Sequence, residues 1–136
     1  MRTKRAILLI LTLWIALLAS PIENEDKTRN NLIIGKWVHG DTTLVFQKNG
    51  LFQYVRYKSQ SKVSSPRKPY KYIVKSNVLV MYYTYNHAIG IDSCEILYVT
   101  KDSLSYKILN SQIEWLSNKP NETIQINNIQ NYTRKF

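Results

Sequence analysis

The chain predicts an all-β fold, a single small antiparallel up-and-down β-barrel or a sandwich, behind an N-terminal export leader. Three observations carry this. Seven to nine short runs rich in β-branched and aromatic residues alternate with turn residues. No apolar stripe at helical spacing lasts more than two turns. The first nineteen residues run from basic to apolar to small, which is the form of a secretory signal peptide. Between the two sheet architectures the barrel is the expectation, because closure removes unpaired strand edges, and eight strands enclose room for side chains or one small ligand.

The leader opens with Arg2, Lys4 and Arg5 and continues in an almost unbroken apolar run, Ala6 to Ala19. A membrane-spanning helix needs about 20 apolar residues, and here Ser20 and Pro21 end the run sooner. Cleavage is expected after Ala19, since a cut after Ser20 would set the ring of Pro21 against the scissile bond. The leader contains no cysteine to receive a lipid. The expectation is an exported protein, periplasmic or secreted from a bacterium, not lipid-anchored and without a stable membrane span once residues 1–19 are removed.

The remaining 117 residues amount to one domain. Residues 20–31 are polar and read as an exposed lead-in, and 32–136 as the barrel. Leu32, Ile33 and Ile34 bring the chain to the core, and Gly35 to Val38 opens the first strand. Thr42 to Gln47 and Leu51 to Lys58 form a hairpin across Asn49-Gly50, a pair that supplies positive φ in a tight turn. Ser59 to Pro69, with four serines, two prolines and basic residues, reads as a long connection. Tyr70 to Lys75 and Val78 to Tyr85 are the next strands, turning at Ser76-Asn77. Asn86 to Asp92, with Gly90, reads as a loop. Glu95 to Thr100 and Ser103 to Leu109 pair across Lys101-Asp102, and Leu104, Tyr106 and Ile108 alternate with Ser103, Ser105 and Lys107. Ile113 to Leu116 and Thr123 to Ile126 fit a strand or a helical turn, and Asn131 to Phe136 closes the sheet.

The opening of this domain resembles the lipocalin-like domains of exported bacterial proteins. The likeness lies in Gly35-Lys36-Trp37, followed by Thr43-Leu44-Val45-Phe46 and Asn49-Gly50-Leu51-Phe52, and it extends over roughly Leu32 to Phe136. It implies a calycin-type barrel in which a basic residue near the end of the last strand, here Arg134, packs across Trp37. Gly35, Trp37 and Arg134 would then close the barrel as structural residues. The Thr-Asp-Tyr motif of the longer lipocalins is absent, as is a disulfide to the C-terminus. The likeness also implies a ligand pocket, although fold alone does not fix function.

Charge and cysteine usage bound the partners. The chain carries nineteen basic and nine acidic residues, net +10; the leader holds three of the basic ones, so the mature part keeps +7. Lys58, Lys62, Arg67, Lys68 and Lys71 belong to a stretch with no acid. Such a run draws anionic partners, an acidic protein or an envelope polysaccharide, or else serves only as a solvated face. An exported chain makes nucleic acid an unexpected target. The lone Cys94 excludes an internal disulfide and reads as a buried structural thiol. A monomer is expected.

Ten tyrosines are the other compositional signal. Alternation sets Tyr83 and Tyr85 on one face with Leu79 and Met81, and Tyr82 on the other. Phe52, Tyr54, Tyr83, Tyr85 and Tyr98 are the candidate pocket wall for a small hydrophobic or amphipathic molecule. The plainer reading is cross-strand packing. Neither His39 nor His87 has a second ligand at metal-binding spacing, so no metal and no cofactor is expected. No phosphate loop, serine elbow or Cys–His signature is present. The expected function is therefore non-catalytic ligand binding. The alternatives are a cell-envelope protein-binding module, inhibitor or immunity-type, that uses the basic loop, and more remotely a small hydrolase or isomerase using His87 with Asp41 or Glu95.

Overall fold

A computed structural model describes residues 27–58, 61–64 and 70–136. Residues 1–19, read as a signal peptide, most of the stretch read as a lead-in, and Arg67 and Lys68 of the basic run lie outside the described residues. A short helix, α1, covers 27–33. Nine strands follow among the described residues: β1 (Gly35–His39), β2 (Thr42–Phe46), β3 (Leu51–Lys58), β4 (Ser61–Ser64), β5 (Tyr70–Lys75), β6 (Val78–Thr84), β7 (Ala88–Val99), β8 (Ser103–Trp115) and β9 (Glu122–Lys135).

All pairings are antiparallel and join strands that are neighbours in sequence, except that β3 pairs with β5 as well as β4, and that β1 also pairs with β9 and so closes the sheet. β4 and β5 lie in succession along β3, β4 against Arg56–Lys58 and β5 against Leu51 and Phe52. Nine strands therefore make eight staves of an up-and-down barrel. One end carries α1 and the β2–β3, β5–β6 and β7–β8 turns. The other carries the β6–β7 turn and the β8–β9 connection. Since β1 meets β9 only at Lys36–Val38, the far halves of β7, β8 and β9 project beyond β1 at that second end.

The interior is filled by the inward positions of every stave. Trp37, Leu44, Phe46, Phe52, Leu79, Met81, Cys94, Ile96, Leu104, Tyr106 and Tyr132 form one buried cluster with Ile33 of the helix. Aromatic edges meet aromatic faces throughout: Phe46 and Tyr72 at 4.9 Å, Phe52 and Tyr83 at 5.4 Å, Tyr70 and Tyr83 at 5.0 Å, while Tyr106 stacks on Tyr132 at 5.8 Å. Each such pair adds about 0.5–1.5 kcal/mol beyond its buried area. Cys94 is fully buried, and desolvation pushes its thiol up to about 12, the behaviour of a packing residue.

Burial also raises the hydroxyls of Tyr70, Tyr72, Tyr83, Tyr85, Tyr106 and Tyr132 above 10. A group whose folded pKa exceeds its unfolded value contributes stability that is complete below the unfolded pKa and lost as pH rises above it. The barrel is accordingly expected to keep its full stability up to about pH 10. Above that it should lose up to about 1.4 kcal/mol per pH unit for each hydroxyl that stays protonated in the folded barrel, the fully enclosed Tyr106 foremost. Urea midpoints measured from pH 8 to 11.5 check this; a flat profile above pH 10 would contradict the enclosure of those rings.

Three segments differ from expectation, the first being Ser61–Ser64, which lies in the stretch read as a long connection and forms β4 by pairing with β3. Residues 27–31, read as part of an exposed lead-in, are helical, because Ile33 anchors the turn in the core while its polar neighbours face outward. Asn86 to Asp92, read as a loop, instead enters β7 at Ala88. Its Gly90 and Asp92 are weak strand formers on their own, yet they pair with Tyr83 and Met81 of β6 and with Ile113 and Ser111 of β8. Tertiary pairing overrides local preference there.

Candidate functional site

The projecting halves of β6 to β9 curve around a groove of about 620 Å³ at the open end. Its wall is built by alternation. Tyr83 and Tyr85 come from the end of β6, Ala88, Gly90 and Asp92 from the start of β7, Ser111, Ile113 and Trp115 from the end of β8, and Ile126 from β9, with His87 at the lip. The inward set of β8 changes parity part-way. Ile108 pairs with Cys94 and Asn110 with Ser93, so Leu109 is the extra residue of a bulge. Before it the inward residues are Leu104, Tyr106 and Ile108; after it they are Ser111, Ile113 and Trp115. A bulge re-aims the side chains beyond it, and here it directs an indole into the groove.

Glycine at position 90 has a local purpose. A Cβ there would meet Cε2 of Tyr85 at 3.1 Å, so the bare backbone lets that ring lie across β7. Tyr83 forms the floor, where it touches Phe52 and Tyr70 and so joins the groove to the filled core. Trp115 is held at the rim by its indole N–H, which donates to Oε1 of Glu122 at 3.2 Å, and Nζ of Lys119 lies 4.8 Å from the ring centre.

Among the described residues Asp92 is the one carboxylate in the lining, and no lysine or arginine lines the groove with it. Partial burial raises its pKa, while the hydroxyls of Ser111 and Tyr83 beside it favour the charged form. Its folded pKa lies above the unfolded one, so the ionised side chain weakens the fold at neutral pH, and the deficit vanishes once pH falls below the unfolded value of 3.8. Asp92→Asn is therefore expected to be more stable than the parent at pH 7 and to converge with it near pH 3. Thermal melts at the two pH values read this directly. An Asp92→Asn protein less stable than the parent at pH 7 would mean that the carboxylate is structurally required.

The sequence-predicted pocket residues divide among three places. Tyr83 and Tyr85 line the groove. Phe52 is fully buried in the core, and Tyr54 packs against that core beside them. Tyr98 is half exposed at the opposite end, in a shallow depression with Thr28, Arg29 and Leu32 of the helix. Of the basic run, Lys71 is exposed on β5, and the backbones of Lys58 and Lys62 lie on the β3–β4 hairpin. His87 and Glu95 stand eight residues apart along one extended strand, about 26 Å. Asp41 is paired with Arg56 at 3.2 Å, and His39 bonds the Asn131 carbonyl through Nδ1 at 2.6 Å. Among the described residues no group of His, Cys, Asp or Glu is placed to hold a metal ion, and no helix is long and apolar enough to cross a membrane.

Gly90, Asp92, Ser111, Ile113, Trp115 and Ile126 were not legible as site residues. The period-two series Ala88, Gly90, Asp92, Cys94, Ile96 was the available signal for β7. No comparable signal existed for Trp115, because the bulge reverses the alternation before it.

At the opposite end Gly35, Trp37 and Arg134 come together. The Arg134 guanidinium lies 4.3 Å from the Trp37 ring centre and donates to the carbonyls of Ile34 at 2.8 Å and of Leu32, while the Trp37 indole N–H donates to Ile33 at 2.7 Å. This end is closed, and the groove is open. Comparison with models of known protein families, with curated proteins and with solved structures returns no match, so both ends are interpreted from the chain's own residues.

Proposed function

We propose that this is an exported, non-catalytic binding protein that holds a small hydrophobic or amphipathic molecule in the groove at the open end of its barrel. The observation that carries the reading is the asymmetry of the barrel. One end is filled and locked, whereas the other directs Tyr83, Tyr85, Ile113, Trp115 and Ile126 into a recess large enough for a small organic ligand. The Gly35–Trp37–Arg134 contact further supports a lipocalin-like architecture, in which such a recess is the expected binding place. The leader supports export.

Native mass spectrometry of the protein purified from its exported fraction tests this. A discrete small-molecule adduct is expected, lost in Ile113→Arg, which sets a charge into the groove wall, and retained at high salt because apolar contact does not weaken with ionic strength. An adduct that survives Ile113→Arg, or none in any preparation, would overturn the groove reading. Capture of an acidic protein that dissociates with salt and with Lys71→Ser would shift the function to the basic run.

A further inference from the structure

Resting on that reading, we propose that the groove selects an organic cation, a ligand with a protonated amine on an apolar body, whose ammonium is seated at Asp92. The chain is strongly basic, yet the charged side chain turned into this recess is an acid. Asp92 stands at the middle of the inward face of β7, opposite Met81 on β6 and Ser111 on β8. Among the described residues its carboxylate has no lysine or arginine partner, in contrast to Asp41, which has Arg56. The hydroxyls of Ser111 and Tyr83 flank it and favour its charged form but supply no countercharge.

The remaining walls suit the same ligand. Tyr83, Tyr85 and Trp115 line the groove with aromatic rings, and such rings attract ammonium groups as well as alkyl chains. The chain itself illustrates this at the rim, where the Lys119 ammonium lies over Trp115. Ile113 and Ile126 supply purely apolar surface for the body of the ligand. A carboxylate ligand would instead meet Asp92 as a like charge in a partly dehydrated site. A neutral ligand would leave the carboxylate dehydrated with nothing gained in return.

Calorimetric titration with octylammonium, 1-octanol and octanoate, which share one alkyl chain, separates head-group selection from tail binding. Octylammonium is expected to bind about tenfold more tightly than octanol, a difference of about 1.4 kcal/mol, with octanoate weakest. Asp92→Asn should abolish the preference, bringing octylammonium and octanol to one level. Its melting temperature, measured alongside, shows that the variant is folded. Equal affinity for octylammonium and octanol in the parent, or an Asp92→Asn variant that keeps the preference, would overturn the amine assignment while leaving a binding groove in place. Failure of all three to bind would overturn the groove itself.

Discussion

Trp37→Ala is expected to lower the unfolding free energy by about 3–5 kcal/mol, the range for truncating a fully buried large aromatic residue. Trp37 heads the fully buried side chains ordered by size. Three partners lose their counterpart with it: the Ile33 carbonyl that receives its N–H, the Arg134 guanidinium over its face, and the core residues around it. Natural domains are stable by only about 5–15 kcal/mol, so the variant would keep a narrow margin. A fall in melting temperature on the order of 15 °C corresponds to this loss in a domain of this size. Trp37→Phe preserves an aromatic face but not the donor, and should cost about 1–2 kcal/mol. Circular-dichroism melts and urea titrations of the two variants give both numbers. A Trp37→Ala loss below 1 kcal/mol would show that the closed end of the barrel is held without this residue.

How much of this was legible in the sequence follows from how each element is specified. Strands whose alternation is unbroken were readable: Leu79, Met81 and Tyr83 of β6 turn inward as their spacing requires, and the Asn49-Gly50 turn lies between β2 and β3, with φ +78° at Gly50. Gly35, Trp37 and Arg134 were singled out from a resemblance, and they meet at one end of the barrel although Arg134 lies far along the chain from the other two. The groove was less readable because it depends on two non-local effects. β7 begins within a segment whose composition favours a loop, stabilised only by pairing on both sides. β8 then reverses its inward parity at Leu109, and a single inserted residue is invisible to a rule of two. The candidate wall, chosen from aromatic content and local alternation, therefore combined core, groove and helix-facing residues. Aromatic content gives an amount of surface, whereas register decides where it goes.

Gly35→Ala isolates why the closed end requires a residue without a side chain. Gly35 has φ +142°, a conformation that costs other residues about 1–3 kcal/mol. A Cβ there would also fall against Nη1 of Arg134, with Cζ at 3.3 Å, so the guanidinium would have to leave the indole face and the two carbonyls at the C-terminal end of α1. Those carbonyls have no partner within the helix, and a cation is the favoured group beside them. The combined cost of Gly35→Ala is expected to be about 2–4 kcal/mol, and Arg134→Ala should fall in the same range through unpaired carbonyls and the lost cation–π contact. In the double variant the collision no longer exists, because there is no guanidinium to displace, and only the backbone strain remains. The two losses should therefore sum to more than the double variant shows, by about 1–2 kcal/mol. Urea titration of the four proteins closes the cycle. Strict additivity would assign the glycine requirement wholly to backbone conformation, and a shortfall of the expected size would assign a measurable part of it to the room that Arg134 needs.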